Sequence, residues 1–221
     1  MNAPADLQLA RFNMIEQQIR PWDVLDKGVL GLLAVVRRED FVLPAYRALA
    51  FVDTEVPLPN GHRMLPPKVE ARLLQDLQVQ RHERVLEIGA GSGYMAALLA
   101  HKGQHVTTFE IDPDLARLAS DNLRRAWVTN VTVLHADASR TVADDGPFDV
   151  IVLSGSVFEV PRALLAQLKP GGRLTAIVGQ LPIMQAVLVT RSSESGTSTV
   201  ELFDTVVPRL TGFGEPSRFV F

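Results

Sequence analysis

The chain has 221 residues, 47% of them hydrophobic, and its formal net charge is −3 at pH 7. This length fits one domain of ordinary size, which can bury enough apolar surface to fold without disulfides or metal ions. The absence of cysteine excludes a disulfide framework, a thiolate zinc site and a cysteine nucleophile. Charges of both signs are interspersed without a basic excess, which argues against a nucleic-acid partner.

The first residues, Met-Asn-Ala-Pro-Ala-Asp, lack the basic and apolar stretches of a signal peptide. No apolar run approaches the ~18 residues that a membrane-spanning helix requires. The sequence therefore predicts a cytoplasmic protein that does not enter a membrane.

The amino-terminal third predicts helices followed by irregular structure. Apolar residues at helical spacing predict a helix over residues 7–20, ended by Pro21, and a second helix over 26–36. Residues 41–67 include five prolines, which predicts a long, turn-rich segment. Segments of this kind in compact domains often form lids or binding loops. A third helix is expected over 68–77.

From residue 85 onward, short apolar runs alternate with helical segments. Strands are predicted over 85–88, 105–110, 131–135, 148–153 and 173–178, and helices over 93–101, 113–126 and 160–168. This alternation indicates a parallel sheet with helices on both faces. Two further strand-like segments, 186–190 and 199–207, predict an antiparallel hairpin at one edge. We therefore expect an α/β, Rossmann-like, doubly wound sheet of seven mostly parallel strands.

The segment Val85-Leu-Glu-Ile-Gly-Ala-Gly-Ser-Gly-Tyr94 reads as a buried strand, a glycine-rich turn and the start of a helix. In this geometry the backbone closely approaches a nucleotide-like ligand at the carboxyl edge of a parallel sheet. A dinucleotide fingerprint needs glycine at its first, third and sixth positions, but here the glycines are Gly89, Gly91 and Gly93. No Lys-Ser/Thr pair follows, which excludes a P-loop. A ligand without phosphates fits better, and S-adenosylmethionine is the obvious one.

Acidic side chains occur where such a site needs them. Glu87 lies within the motif, and a sulfonium and an ammonium group both favour nearby negative charge. Glu110 ends the second strand, 21 residues after Gly89, where a carboxylate can bind ribose hydroxyls. Asp112 precedes a proline and is predicted to cap the next helix. For Asp137, adenine recognition and a solvated loop position remain equally open.

Two other chemistries find less support. His101 and His105 are four residues apart, but the intervening Gly103 argues against a shared helical face, and no third ligand is evident. We therefore expect no metal site. Neither Ser154 nor Ser156 has a glycine two residues before it, as the Gly-x-Ser-x-Gly pattern of a nucleophile elbow requires. Both are predicted to be loop residues after the fourth strand.

Further motifs extend over nearly the whole chain: Arg38-Glu-Asp-Phe-Val-Leu-Pro44, Ala50-Phe-Val-Asp53, Pro57-Leu58, Pro67, Pro161-x-x-Leu-Leu165, Leu168-Lys-Pro-Gly-Gly-Arg-Leu174 and Val207-Pro208. With them the chain resembles the protein-L-isoaspartate O-methyltransferase family of class I methyltransferases, which repairs age-damaged aspartyl and asparaginyl sites. The resemblance implies S-adenosylmethionine as methyl donor, S-adenosylhomocysteine as product, and a damaged protein or peptide carrying isoaspartate as acceptor. We expect a monomer or weak dimer.

The departures from the family pattern concern the acceptor side. The family reads Gly-Gln-Thr-Ile-Ser-x-Pro before the third helix, whereas this chain reads Gly61-His-Arg-Met-Leu-Pro-Pro67 and so has Leu65 at the position of the active-site serine. Leu65 cannot donate a hydrogen bond. Arg63 could orient an acceptor carboxylate instead, as could Ser154 or Ser156. The third-strand loop also differs, with Asp137-Ala138 in place of Asp-Gly.

These observations predict one methyltransferase domain over 1–221, with an amino-terminal acceptor region (1–80), a donor-binding core (81–180) and a carboxyl-terminal β region (181–221). The candidate acceptor-side residues are Arg63 and Leu65. The candidate donor-binding residues are Glu87, Gly89, Gly91, Gly93, Glu110, Ile111, Asp137, Ala138 and Ser154. Three functions remain open: isoaspartyl carboxyl methylation, methylation of another carboxylate or small molecule, and donor binding without catalysis.

Overall fold

The computed structural model describes residues 3–141, 143–193 and 196–214. Its strands are β1 (Val56–Pro57), β2 (Arg63–Met64), β3 (Arg84–Ile88), β4 (His105–Glu110), β5 (Val131–His135), β6 (Phe148–Val157), β7 (Leu168–Gln180), β8 (Ile183–Arg191) and β9 (Thr197–Thr205). Its α-helices are α1 (Ala3–Met14), α2 (Lys27–Val35), α3 (Pro67–Leu77), α4 (Tyr94–Lys102), α5 (Pro113–Arg125) and α6 (Arg162–Ala166). In the described ranges, no helix combines the length and apolar character that crossing a bilayer would need.

Seven strands form one sheet in the order β5-β4-β3-β6-β7-β8-β9. The first five in this order are parallel to one another, and β8 and β9 extend the sheet as an antiparallel hairpin. The order reverses beside β3, because β4 and β6 lie on its two sides. The carboxyl end of β3 is therefore the switch point where open α/β sheets bind ligands. The predicted fold class is confirmed.

The sheet is buried on both faces because successive side chains of its central strands enter different cores. Val85 and Val150 belong to the larger core, which also contains side chains of α2, α3 and α4. Leu86 and Ile151, one residue further along the same strands, belong to the second core, which includes Leu164 of α6. This explains the nearly continuous apolar runs of β3 and β6.

Several predicted boundaries were wrong. The first helix does not end at Pro21: after α1 a π-helical segment (Ile15–Ile19) leads into a 3₁₀ turn (Arg20–Trp22) that contains this proline. Proline is tolerated there because the first turn of a helix has no partner for its N–H group. The predicted helix over 160–168 is only Arg162–Ala166, and β7 starts at Leu168 rather than at residue 173.

The turn-rich segment 41–67 is more ordered than predicted. It contains a 3₁₀ helix (Pro44–Phe51) and a small hairpin in which Val56 pairs with Met64 and Pro57 with Arg63. This β1–β2 hairpin lies between the amino-terminal helices and the sheet edge, so it is placed to border a site there.

A buried arginine fixes the position of this segment. Arg38 is 1% exposed, and its guanidinium donates to the carbonyl oxygens of Ala50 (3.2 Å) and Leu65 (2.5 Å). It also donates to Oε2 of Glu70 in α3, at 3.3 Å. Burial raises the pKa of Glu70 to about 7 although the charge of Arg38 opposes the shift. One side chain thus joins the 3₁₀ helix, the end of the hairpin and α3.

We expect Arg38→Met to lower the free energy of unfolding by about 3–5 kcal/mol at pH 8, because it leaves two carbonyls and a carboxyl buried without their cation. The loss should be smaller at pH 6. Without Arg38 the folded variant holds a proton on Glu70 to a higher pH than the wild type does, so its stability falls more steeply as pH rises. Urea unfolding at both pH values measures this.

The matched control is Arg37→Met, since Arg37 is exposed and forms a surface ion pair with Asp40 at 2.6 Å. Such pairs contribute about 0–1 kcal/mol. A cost for Arg38→Met no larger than that of the control would contradict the structural role of Arg38.

Candidate functional site

A narrow cavity of about 70 Å³ lies at the carboxyl edge of the sheet, beside the switch point. The sheet side contributes Gly89, Gly91, Glu110, Ile111, Ala138 and Ser154. The other lining residues belong to the β1–β2 hairpin with its turn (Leu58, His62 and Arg63) and to a carboxyl-terminal segment, 208–213. This volume is smaller than the ~300–1,000 Å³ that pockets for small molecules usually measure.

The glycine turn after β3 requires its glycines for two reasons. Gly89, Gly91 and Gly93 have φ values of +91°, +52° and +83°, in the region that side chains disfavour. Space is also limiting: a Cβ atom on Gly93 would lie 3.1 Å from the carbonyl oxygen of Ala119. Gly89 and Gly91 line the cavity, whereas Gly93 does not and instead forms the N-cap of α4.

Glu110 connects this turn to the next strand. Its Oε2 accepts a hydrogen bond from the backbone N–H of Gly91 (2.8 Å), and its Oε1 accepts one from that of Asp112 (3.1 Å). Glu110 lines the cavity and is 5% exposed. A carboxylate has about four acceptor positions. Glu110 can therefore hold the turn and still accept hydrogen bonds from two ligand hydroxyls.

Glu87 lies deeper than a ligand-contacting residue. Its Oε2 accepts from Thr108 Oγ1 (2.7 Å) and its Oε1 from Ser154 Oγ (2.8 Å), on the strands to either side of β3. It is fully buried and does not line the cavity. Burial raises its pKa to about 8, although the two hydroxyl donors oppose the shift. Any influence of Glu87 on a ligand must pass through Ser154 or through its electric field.

Asp112 and Asp137 both make the local bonds of loop and capping residues. Asp112 caps α5, because its Oδ1 accepts from the backbone N–H groups of Asp114 (2.8 Å) and Leu115 (3.3 Å). Asp137 Oδ1 accepts from Ser139 through its backbone N–H (2.9 Å) and its hydroxyl (2.6 Å). Asp137 does not line the cavity, although Ala138 does. Adenine recognition by Asp137 stays a prediction.

The two candidate acceptor-side residues differ in position. Arg63 lines the cavity with a half-exposed side chain, and its guanidinium lies 3.6 Å from Glu55 Oε2. Leu65 is 4% exposed and belongs to the larger core. Its backbone carbonyl accepts a hydrogen bond from Arg38, which holds this end of the hairpin in place. Leu65 therefore replaces the family's serine with a packing residue.

Ser154 and Ser156 were predicted to be loop residues, but they lie within β6, which runs to Val157, and their hydroxyls are already engaged. Ser154 lines the cavity but donates its hydroxyl proton to Glu87. Ser156 is fully buried, and its hydroxyl lies 3.1 Å from the carbonyl oxygen of Val207 and 3.2 Å from that of Pro208. Of the three side chains considered for orienting an acceptor, only Arg63 extends from the cavity wall with exposed donor groups.

Sequence analysis missed the contribution of segment 208–213. It pairs with the end of β6, where the N–H of Ser156 donates to Pro208 O (2.8 Å) and the N–H of Leu210 to Ser156 O (2.9 Å). A Cβ atom on Gly89 would lie 2.8 Å from Leu210 Cδ2, so the leucine side chain covers the glycine turn. The Val207-Pro208 motif was a signal for this segment, but its return to the cavity depends on the preceding hairpin.

His62 and Leu58 also line the cavity; neither is among the individual residues predicted for the site, although their segment was predicted to be a lid or binding loop. Their position follows from the hairpin, which the sequence did not reveal. Among the residues with described placement, no cluster of three or more histidine or acidic side chains is arranged to hold a metal ion.

Known proteins are similar in sequence to this chain over most of its length. Residues 10–207 match the family model of protein-L-isoaspartate(D-aspartate) O-methyltransferase. A protein-L-isoaspartate O-methyltransferase of Koribacter versatilis is 38% identical over 196 residues, 89% of this chain and 88% of the relative. Another, from Methanoculleus marisnigri, is 36% identical over 205 residues, 92% of this chain and 93% of the relative.

A solved structure agrees with the fold. A Plasmodium falciparum protein, crystallised with S-adenosylhomocysteine and described by the same methyltransferase activity, superposes with a TM-score of 0.78. It is 21% identical in sequence, and the superposition covers 91% of this chain and 98% of that one. The family model and the curated relatives extend over the glycine turn, Glu110 and the β1–β2 hairpin alike. The chain belongs to the protein-L-isoaspartate(D-aspartate) O-methyltransferase family.

Proposed function

We propose that the protein transfers a methyl group from S-adenosylmethionine to the free carboxylate of an isoaspartyl residue in a damaged protein or peptide. The observation that carries this proposal is the pairing of Glu110 with the glycine turn at the switch point of the sheet. The carboxylate lines the cavity with acceptor positions to spare, as the ribose of the donor requires. Family membership supports the choice of donor and acceptor.

The reaction needs positioning more than acid–base chemistry. The acceptor oxygen attacks the methyl carbon in line, the carbon–sulfur bond breaks, and its electron pair remains on sulfur. An unperturbed aspartyl carboxyl has a pKa of about 4, so it is ionised at neutral pH and needs no general base. Sulfonium and carboxylate charges both disappear in the reaction. A site that excludes water therefore favours the transition state over the separated ions.

Arg63 is the acceptor-binding residue in this proposal. Arg63 lies in the cavity wall, in the strand β2 of the hairpin. A guanidinium presents paired donors that match a carboxylate. Glu55, its present partner, is 3.6 Å away and leaves most of these donors available. Arg63 would then orient the acceptor in place of the serine hydroxyl that Leu65 cannot supply.

The buried position of Leu65 favours one second candidate, methylation of another carboxylate, because the acceptor wall differs from the family pattern. Both candidates use the same donor site and the same chemistry. We further propose that the protein acts as a monomer or weak dimer in the cytoplasm, with a single domain divided as the sequence predicted.

Incubation with labelled S-adenosylmethionine should transfer a base-labile methyl group to an isoaspartyl peptide and not to its normal aspartyl counterpart. Base lability identifies a carboxyl ester, and the aspartyl peptide is the control for the position of the free carboxylate. Donor binding without transfer to either peptide would refute the isoaspartyl proposal and favour another acceptor.

Arg63→Ala should lower kcat/KM for the isoaspartyl peptide about tenfold or more, mainly by raising KM, because a hydrogen bond to a charged partner contributes about 1.5–3 kcal/mol. The dissociation constant of S-adenosylhomocysteine should change little. Arg63→Lys should retain part of the activity.

The control for Arg63→Ala is Arg37→Ala, an exposed arginine that does not line this cavity. Unchanged turnover of the isoaspartyl peptide by the Arg63→Ala variant would remove Arg63 from the acceptor site.

A further inference from the structure

We propose that Asn60 and His62 are positioning residues that fasten the β1–β2 hairpin across the donor cavity and so control the exchange of donor and product. The hairpin forms one wall of the cavity, and its tip contacts the beginning of α5, directly after Glu110. This inference rests on the proposed function for the identity of the ligand.

The hairpin cannot hold its own position. Its strands have two residues each and form two residue pairs, and two further backbone bonds close the turn, from the N–H of Leu58 to His62 O (2.8 Å) and from the N–H of His62 to Pro59 O (3.1 Å). Even a longer two-stranded hairpin is marginally stable alone in water. Contacts with the rest of the protein must therefore determine where Arg63 and His62 lie.

One contact lies directly before the turn of the hairpin. Leu58 is 6% exposed, and a Cβ atom on Gly91 would lie 3.4 Å from its Cδ1, which is ordinary van der Waals contact. The leucine therefore packs on the same glycine whose N–H binds Glu110. This contact adds to the burial of Val56 (0% exposed) and Met64 (4% exposed), which anchors the two strands in the larger core, but none of these side chains belongs to the turn 59–61.

The second contact, at the tip, supplies the direction. Asn60 Nδ2 lies 2.8 Å from Asp112 Oδ2 and 3.1 Å from Asp114 Oδ2, so one amide group binds two carboxylates. His62 Nε2 lies 3.6 Å from the same Asp112 oxygen. The hydrogen bond from Asn60 lowers the pKa of Asp112, which keeps this partner ionised and the bond charge-assisted.

The tip is built for this contact rather than for stability. Asn60 has a φ of +57°, a left-handed conformation that asparagine adopts more readily than most residues. Its side chain is exposed, so the bonds add little to the folded core. Their effect is to fix a position. Leu58 packs on Gly91 and Asn60 binds Asp112, so the turn of the hairpin is held beside Glu110.

The test is the dissociation rate of S-adenosylhomocysteine, measured by stopped-flow displacement. Asn60→Gly keeps the left-handed backbone but removes the amide, and it should accelerate dissociation about fivefold or more. Asn60→Asp has the same shape but places a third carboxylate against two others, so its effect should be larger. His62→Ala should act in the same direction and more weakly, whereas His62→Gln, which can still donate to Asp112, should recover much of the wild-type rate.

A matched control for the change of charge is Asn13→Asp, on α1 outside the cavity lining, which should leave the dissociation rate unchanged. Thermal unfolding of the Asn60 variants should stay within about 2 °C of the wild type, since exposed polar contacts contribute little to stability. Dissociation within twofold of the wild-type rate for both Asn60→Gly and Asn60→Asp would overturn the proposal. A wild-type protein that fails to bind S-adenosylhomocysteine would instead refute the proposed function.

Discussion

The hydrogen bond between the Gly91 N–H and Glu110 holds the candidate site together. Together with the bonds from the N–H groups of Gly89 and Ala90 to the carbonyl oxygen of Phe109, it ties the turn after β3 to the end of β4. The turn donates this bond from a backbone whose three glycines have positive φ values, and at Gly89 and Gly93 the surrounding atoms also leave little room for a Cβ atom. The β1–β2 hairpin packs on the same turn through Leu58 and reaches the start of α5 through Asn60.

Charge is distributed to suit a cationic donor and an anionic acceptor. Glu110 lines the cavity on the sheet side, and Arg63 lines it on the hairpin side. Behind the turn, Glu87 is held between Thr108 and Ser154, and burial raises its pKa to about 8. Nearby positive charge lowers the pKa of a carboxyl group, so a bound sulfonium would favour the ionised form of Glu87.

The sequence was sufficient for the sheet and for the position of the cavity at its switch point. Alternating apolar runs predicted the strands, and the glycine spacing with Glu110 predicted the switch-point cavity, because both depend on local pattern and fixed separation along the chain. The acceptor side depends on contacts between distant segments. The hairpin of segment 41–67 is stabilised by Arg38 and by α5, and residues 208–213 reach the cavity only after the β8–β9 hairpin has turned the chain back. The spacing of apolar residues along the sequence does not reveal contacts between such distant segments.

The central claim is that Glu110 binds the ribose of the donor. A double-mutant cycle, in which the protein loses the Glu110 carboxylate and the ligand loses its ribose hydroxyls, tests this claim most directly. Calorimetry would compare S-adenosylhomocysteine with its counterpart lacking both ribose hydroxyls, on the wild type and on Glu110→Ala. Loss of the hydroxyls should weaken binding to the wild type about tenfold or more and binding to the variant by less than about threefold. An equal loss in both proteins would show that the hydroxyls do not contact Glu110 and would contradict the account.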